Sequence, residues 1–239
     1  MPIDPAPVPP PEFVPLSKLP NFDPRAVPVT GIDAHLPPVR LEVLQPAALR
    51  ERFVRPPAWT PEVRSEPRFT DRQIALAAVL VPVVLREQPM VLLTERATHL
   101  STHSGQIAFP GGRRDDTDCD AADTAQREAL EEIGLAREHI EVIGELPTYT
   151  TGTRFVVTPV VGLIAPDHQL ALNPHEVSDA FEVPLAFLMN PAHHHRHRIE
   201  VGGNSREFFS MPYMQGSAER FIWGATAGML RNLYRFLAA

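Results

Sequence analysis

Runs of β-branched residues and leucine predict four strands in the middle of the chain. Ile74–Leu85 and Met90–Thr94 are separated by a short polar segment with a proline, which predicts two paired strands and a turn. Ile140–Leu146 and Phe155–Ile164 predict two further strands, joined by a loop rich in threonine and glycine. Because a helical pattern lies between these strands, the expected fold class is α/β or α+β with a mixed sheet.

Apolar positions spaced three and four residues apart predict three helices. Pro46–Phe53 predicts a short helix with proline in its first turn. Glu219–Leu237 predicts a C-terminal helix with one apolar face. The central helix begins near Asp118–Asp123 and ends at Gly134, a suitable C-terminal stop. Its small apolar positions, which would press it onto the sheet, are Ala122, Ala125, Ala129 and Ile133.

Proline is concentrated at the start of the chain, where seventeen of the 27 prolines lie before residue 71. Residues 1–38 show no apolar periodicity, which predicts a disordered or polyproline-like arm. The alternative is an ordered arm that lies over the domain or over a partner, anchored by Phe13, Val14, Leu16 and Leu19. We therefore divide the chain into a Pro-rich extension, residues 1–66, partly disordered or arm-like, and a folded domain, residues 67–239.

Composition excludes several classes of protein. The 239 residues are 44% hydrophobic and 21% charged, which is typical of a soluble globular protein. A formal net charge of −7 argues against a nucleic-acid partner. The apolar run Ala75–Leu85 is too short to span a bilayer, so we expect no membrane partner. Cys119 is the only cysteine and the N-terminus lacks the features of a secretory signal, which together predict the cytoplasm.

Three carboxylates on the central helix are the candidate chemistry of the chain. Glu128, Glu131 and Glu132 stand at positions i, i+3 and i+4, so they share one side of the helix and repel one another. Such hard oxygen ligands suit Mg²⁺ or Mn²⁺. The glycines of Phe109–Gly112, ahead of the helix, would let the backbone approach a ligand closely, and a carbonyl there could complete the metal shell.

The spacing of glycine, arginine and glutamate around this helix is specific. The fixed positions are Gly112, Arg127, Glu128, Glu131, Glu132, Gly134 and Leu135. They resemble the Nudix box, whose pattern is G-x5-E-x7-R-E-U-x-E-E-x-G-U, where U is apolar. The half REALEEIGL matches at every fixed position, whereas the loop before it carries one extra residue. Asp118 is our candidate for the place of the first Glu.

The residues before the box are similar to the coenzyme A pyrophosphatase subgroup of Nudix hydrolases, which carries LLT-x-R-[SA]-x3-R-x3-G-x3-FPGG. Leu92–Ala97 opens this pattern, Gly105 falls in register, and FPGG follows three residues later. Ser101 stands where the subgroup has Arg. The resemblance covers roughly residues 70–239.

This resemblance implies an α/β/α sandwich with a mixed sheet and a metal-dependent hydrolase of a nucleoside diphosphate linked to another group. The implied metal ligands are Glu128, Glu131, Glu132 and the carbonyl of Gly112. The implied catalytic residues are Glu128, Glu131, Arg127 and Glu176. The implied substrate-binding residues are Arg96, His103 and Gly111. For the general base, Glu128 and a loop carboxylate, Glu176 before Glu182, both stay open.

Coenzyme A or acyl-coenzyme A is the expected small-molecule substrate. One alternative is a Nudix pyrophosphatase for ADP-ribose, NADH or nucleoside triphosphates, and another is a binding module without catalysis. A homodimer and a monomer both stay open. The run His193–His197 predicts a solvated loop, with Arg196 and Arg198 as minor candidates for meeting the 3′-phosphate of coenzyme A. Tyr149 is a candidate for stacking on adenine.

Overall fold

The structure, a computed structural model, describes residue 16 and residues 22–66, 73–98, 105–201 and 203–239. The expectations for Ser101 and His103, and for Phe13, Val14 and Leu19 in the arm, therefore lie outside the described residues. The strands are β1 (Val29–Ile32), β2 (Ala75–Val84), β3 (Met90–Arg96), β4 (Ile107–Ala108), β5 (Gly111–Arg113), β6 (Ile140–Glu145), β7 (Tyr149–Thr150), β8 (Phe155–Ile164), β9 (Val177–Pro184), β10 (His195–Val201), β11 (Asn204–Gln215) and β12 (Ala218–Trp223). The helices are α1 (Pro46–Val54), α2 (Ala121–Ile133), α3 (Leu185–Leu188) and α4 (Gly224–Ala238). Among the described residues, no helix is both long and apolar enough to cross a bilayer.

A mixed sheet forms the centre of the fold. Its main path runs β4-β3-β2-β8-β6, with β9 on β3, β5 on β2 and β7 on β8. β2 and β8 pair in parallel along ten residues, from Ala75 with Phe155 to Val84 with Ile164. β2 and β3 pair antiparallel at the turn, as the polar segment between them predicted. The predicted class, α/β with a mixed sheet, is confirmed.

Side chains alternate along the strands, and this alternation creates two cores on opposite faces of the sheet. The β2 residues that pack against α2 are Ala78, Leu80 and Val84. The β2 residues that face the layer containing α1 and α4 are Ala77, Val81 and Val83. Helices therefore cover both faces, and the predicted α/β/α sandwich is confirmed.

The central helix forms where the sequence predicted it. The Asp120 side chain caps its start by accepting the Asp123 N–H at 2.8 Å, and Gly134 ends it in the left-handed conformation at φ 68°. Ala125, Ala129 and Ile133 are fully buried against the sheet. Because two of these three residues are alanines, the helix backbone can lie close to the strands.

A second, four-stranded sheet in the order β1-β10-β11-β12 was not predicted. The prediction of helix over Glu219–Leu237 is wrong in its first part, because this part forms β12. Ile222 pairs with Met211 of β11, and the helix begins only at Gly224. The three- and four-residue spacing of apolar residues did not distinguish a buried strand followed by a helix from one longer helix.

The predicted solvated loop at His193–His197 is also wrong, because His194 and His197 are buried. His194 lies 2.7 Å through Nε2 from the Leu188 carbonyl and 3.0 Å through Nδ1 from Arg231. Burial lowers the pKa of His194 to about 4, so this imidazole is neutral at neutral pH. His197 lies in β10 between the Val27 carbonyl and the Ser210 hydroxyl. Tertiary hydrogen bonds thus place polar side chains in the core.

The described part of the N-terminal segment, residues 22–66, packs against the second sheet and α4. β1 pairs with β10, and Leu44 and Leu49 are buried in the same core as α4. Asp33 and Glu62 each form ion pairs with both Arg196 and Arg231, at 2.8–2.9 Å. For residues 22–38 the structure therefore follows the ordered-arm alternative. The domain boundary at residues 66 and 67 stays a prediction.

If residues 22–66 are part of the folded unit, truncating a buried side chain there should weaken the whole protein. Leu49, which is 2% exposed, and Leu41, which is 63% exposed, form a matched pair. We expect Leu49→Ala to lower the free energy of unfolding by about 2–5 kcal/mol, and Leu41→Ala to change it by less than about 0.5 kcal/mol. Urea denaturation measures both. Equal small effects would mean that this segment contributes little to the core.

Candidate active site

The carboxylates of α2 lie against the glycine turn that precedes the helix. Gly111 donates its backbone N–H to Glu132 at 3.2 Å. A side chain at Gly112 would place its Cβ 2.6 Å from the carboxyl group of Glu128, so a larger residue cannot occupy this position without displacing Glu128. The packing of α2 on the sheet thus fixes two of its carboxylates beside residues 111 and 112.

Burial alters the acidity of both carboxyl groups. Burial raises the pKa of Glu132 to about 7, and the negative charges of Glu128 and Glu176 add to this effect. Burial also raises the pKa of Glu128, where Arg127 partly opposes the increase. The surroundings therefore disfavour the charged forms of both carboxyl groups.

Arg127 connects most of the polar groups of the box. Its Nε and Nη2 each donate to Asp118 at 2.9 Å, in a two-pronged pair. Nη1 donates to Glu128 at 2.9 Å and to Glu131 at 3.0 Å, and Nη2 reaches the Arg113 carbonyl at 3.0 Å. Arg127 thus orients the carboxylates of the helix and fixes them to the preceding loop.

Asp118 is buried in the loop before the helix and has several hydrogen-bond donors; that it takes the place of the first Glu of the motif stays a prediction. Besides Arg127, it accepts the Asp115 N–H at 2.9 Å and the Thr124 hydroxyl at 3.0 Å. The Arg127 guanidinium, with these further donors, holds the pKa of Asp118 far below its usual range. Asp118 is therefore a charged anchor for Arg127 within the loop.

Glu176 lies close enough to raise the pKa values of Glu128 and Glu132. Its loop is held by hydrogen bonds to Asn173 and by the Ala97 N–H, which donates to the Glu176 carbonyl at 2.9 Å. The structure thus brings together the two main candidates for a general base, Glu128 and Glu176. Glu182, the second loop candidate, instead forms an ion pair with Arg86 at 2.7 Å.

A cavity of about 660 Å³ begins at the glycine turn and extends between the two sheets. Three residues of the sequence-predicted site line it: Arg96, Gly111 and Gly112. Arg96 is half-buried. Its positive charge lies close enough to lower the pKa of Glu132, although burial raises this pKa by more. The glycine turn therefore lies between the cavity, which it lines, and the carboxyl groups of Glu128 and Glu132, which it contacts on the helix side.

Part of this cavity comes from residues that the sequence did not single out. The walls also include Glu62, Glu66, Phe155, Arg206, Phe208 and Trp223. These residues come from the N-terminal segment, the main sheet and the second sheet. The spacing of residues along the sequence could not predict this wall, because its residues meet only through pairing between distant strands.

The sequence also suggested substrate contacts for Tyr149, Arg196 and Arg198, and the structure places these three residues differently. Tyr149 lines the cavity, but its ring is 2% exposed and its hydroxyl donates to Glu66 at 3.1 Å. Arg196 lines the cavity while it is paired with Asp33 and Glu62. The Arg198 side chain is 56% exposed and pairs with Glu207 at 3.5 Å. A contact of Arg196 or Arg198 with a substrate phosphate thus has little support from these positions.

The model of the NUDIX domain family matches residues 75–201, a little over half of the chain. This chain belongs to the Nudix family. It is 44% identical over 173 residues to the uncharacterized Nudix hydrolase NudL of Shigella flexneri, covering 72% of this chain and 86% of that relative. It is 46% identical over 157 residues to NudL of Escherichia coli K12, covering 66% and 80%. The chain is a Nudix hydrolase with the Nudix fold.

Solved Nudix structures resemble the chain at low identity. A MutT/nudix family protein from Enterococcus faecalis is 17% identical with a TM-score of 0.42, covering 80% of this chain and 74% of that one. A C. elegans Ap4A hydrolase complex is 21% identical with a TM-score of 0.41, covering 50% and 86%.

Nudix hydrolases generally need divalent metal ions. Within the described ranges, no three His, Cys, Asp or Glu side chains are gathered closely enough to hold an ion in their present orientations. Glu131 is half-exposed and Arg127 lies between it and Glu128, so these side chains do not converge. The donor chemistry nevertheless fits a hard cation, since the oxygen donors of Glu128 and Glu132 lie together against the glycine turn.

The anchor role of Asp118 predicts a pH-dependent loss of stability. Its pKa is lowered on folding, so its carboxylate stabilises the folded state above the unfolded pKa of about 3.9, and this contribution is lost as the pH falls below it. We expect Asp118→Asn to cost about 2 kcal/mol in the free energy of unfolding at pH 7, with a smaller difference from wild type below about pH 4.

Denaturation at several pH values measures this difference. Asp116→Asn is the matched control, because Asp116 is exposed in the same loop. An Asp118 variant as stable as the control at pH 7 would contradict the anchor role.

Proposed function

We propose that the protein hydrolyses a nucleoside diphosphate linked to a second group, most specifically coenzyme A or acyl-coenzyme A. The products would be 3′,5′-ADP and 4′-phosphopantetheine or its acyl form. The observation that carries the proposal is the position of the box carboxylates against the glycine turn, which itself lines a cavity of about 660 Å³, a volume within the range of small-molecule sites.

The choice of coenzyme A rests on the residues upstream of the box. Leu92–Ala97, Gly105 and the FPGG turn are similar to the coenzyme A subgroup. It is supported by the location of Arg96, which lies at the end of β3, lines the cavity and lies near Glu132. A guanidinium in this position is suited to bind a phosphate oxygen of the substrate.

The residues of the box would each have a separate task. Glu128, Glu131, Glu132 and the carbonyl of Gly112 would hold Mg²⁺ or Mn²⁺. When bound there, such an ion supplies charge for the phosphate oxygens and lowers the pKa of the attacking water. Arg127 would act as a positioning residue, because its guanidinium already holds Glu128 and Glu131.

The remaining steps concern the proton and the substrate. Glu128 or Glu176 would accept a proton from the attacking water, and both lie in the same group of carboxylates. Arg96 and the backbone of Gly111 would bind the diphosphate, and we retain His103 as a substrate-binding prediction from the resemblance. Glu132 is 7% exposed, so bulk water has limited access to its carboxyl group.

Removing one carboxylate charge tests the hydrolase proposal. Glu128→Gln and Glu132→Gln keep the size of the side chain and its helix propensity. We expect kcat to fall by about 10²–10⁴, the effect of losing one positioned catalytic or electrostatic group. Glu138→Gln, at an exposed position shortly after the helix, should retain full activity. The measurement is product formation from coenzyme A with Mg²⁺ or Mn²⁺.

Two results would refute this assignment. The first is full activity in either box variant, and the second is full activity of the wild-type protein with excess chelator. Glu176→Gln, measured across a pH series, separates the two candidate bases. Loss of activity across the whole pH range assigns the proton acceptor to Glu176. Retained activity with a profile displaced to lower pH leaves Glu128, because removing the charge of Glu176 lowers the pKa of Glu128.

Substrate comparison tests the narrower choice of coenzyme A. We expect kcat/KM for coenzyme A to exceed that for dephospho-coenzyme A and for ADP-ribose by about tenfold or more, since a cation meeting a phosphate contributes about 1.5–3 kcal/mol. Arg96→Ala should lower kcat/KM for coenzyme A, whereas the exposed control Arg55→Ala should not. Ser101→Arg should improve it or leave it unchanged. Equal rates on the three substrates would keep the Nudix chemistry and reject coenzyme A as the preferred substrate.

A further inference from the structure

The short strand that follows the glycine turn has two different faces. β5 pairs antiparallel with β2, so that Gly112 lies opposite Ala78 and Arg113 lies opposite Ala77. Residues directly opposite each other in such a pair point to the same face of the sheet. Ala78 packs against α2, whereas Ala77 belongs to the core on the other face. The register therefore places position 112 on the helix face and the Arg113 side chain on the opposite face.

Both faces of this strand border the candidate active site. A Cβ at Gly112 would lie 2.6 Å from the carboxyl group of Glu128. On the other face, Arg113 and Ala77 line the cavity of about 660 Å³. Gly112 and Arg113 are neighbours in the chain, so their Cα atoms are only about 3.8 Å apart. A box carboxylate and a guanidinium therefore lie on opposite sides of the same short strand.

The backbone of Arg113 is fixed, whereas its side chain is exposed. The Arg113 carbonyl accepts a hydrogen bond from Nη2 of Arg127 at 3.0 Å. The next backbone N–H, that of Arg114, donates to the Leu76 carbonyl at 3.0 Å. Within the described ranges, the Arg113 guanidinium forms no hydrogen bond or ion pair with another residue. Its charge is therefore available to a ligand of the cavity.

The neighbouring Arg114 shows what a structural arginine does in this loop. It donates through Nε and Nη2 to the Asp118 carbonyl, at 3.3 and 2.9 Å, and through Nη2 to the Cys119 carbonyl at 2.7 Å. These bonds hold the loop that leads to α2. The Arg113 side chain makes no such bonds to the residues that the structure describes, so a role in holding the loop does not account for its charge.

A second guanidinium lies near the same turn. Glu132 accepts the Gly111 N–H at 3.2 Å, and Arg96 lies close enough to Glu132 for its charge to act on that carboxyl group. Arg96 also lines the cavity. Arg96 and Arg113 thus both bring positive charge to the part of the cavity beside the turn. Positive groups that reach phosphate oxygens from different sides are a common arrangement where phosphoryl groups react.

We propose that Arg113 binds a phosphate group of the substrate on the cavity side of the glycine turn. This inference rests on the proposed function, and it adds a substrate-binding residue at a variable position of the Nudix pattern. A substrate with its diphosphate at the box extends past the turn, so this group is either a phosphate of the diphosphate or a phosphomonoester on the adjoining ribose. The planar fork of arginine matches two oxygens of either group.

Removing the charge of Arg113 tests this contact. We expect Arg113→Gln to lower kcat/KM for coenzyme A by about fivefold or more, and Arg113→Lys, which keeps the charge but not the fork, to lower it less. Arg64→Gln is the matched control, because Arg64 is exposed on the N-terminal segment and lies outside the described walls of the cavity. It removes the same charge and should change kcat/KM by less than about twofold. A circular dichroism melt of each variant verifies folding.

Coenzyme A and dephospho-coenzyme A distinguish the two sources of the phosphate. Similar losses on both substrates assign the contact to the diphosphate, and a loss confined to coenzyme A assigns it to the phosphomonoester. An unchanged kcat/KM for both substrates in folded Arg113→Gln would overturn the role of Arg113. An equal loss in Arg64→Gln would also overturn it, because the effect would then come from the net charge of the protein alone.

A binding measurement separates this contact from the hydrolysis itself. In protein that already carries Glu128→Gln, where turnover is slow, calorimetry with coenzyme A and Mg²⁺ should show binding weakened about fivefold or more by Arg113→Gln and unchanged by Arg64→Gln. If the wild-type protein does not hydrolyse coenzyme A, the proposed substrate is rejected. Calorimetry with inorganic pyrophosphate then decides the role of Arg113: weaker binding to Arg113→Gln than to the wild type supports it, and equal binding overturns it.

Discussion

The close packing of α2 on the central sheet is the constraint on which the site depends. Ala125, Ala129 and Ile133 are fully buried, and the small side chains let the helix approach the strands. This approach presses the other side of the helix onto the glycine turn, where a Cβ at Gly112 would overlap Glu128. The carboxylates are therefore held against the backbone, and burial raises their pKa values. Folding energy from the apolar face compensates for the unfavourable charge of the polar face.

A second interaction keeps this charged face ordered. Arg127 donates two parallel hydrogen bonds to Asp118 and further bonds to Glu128 and Glu131. Asp118 is itself fixed by Thr124, one turn before Arg127 on the same helix. The loop before the helix thus closes on the helix through Asp118.

The cavity beside this face depends on contacts between distant parts of the chain. Asp33 and Glu62 from the N-terminal segment pair with Arg196 of β10 and Arg231 of α4. These pairs tie the N-terminal segment to the second sheet and to the C-terminal helix. Because each charge has an opposite partner, the cost of burying it is offset. The same segments also line the cavity, so the stability of the fold and the shape of the cavity depend on shared elements.

The sequence by itself determined the parts of the protein that local spacing controls. Helix α2 with its caps, the paired strands β2 and β3, the α/β class and the Glu128–Glu132 cluster all follow from spacing within about thirty residues. The family match supports the same box. Only the tertiary structure decided that Ala218–Trp223 is a strand, that His194 and His197 are buried, and that Arg206 lines a cavity. These features depend on partners far away in the sequence, and hydrophobic periodicity carries no information about which distant groups will meet.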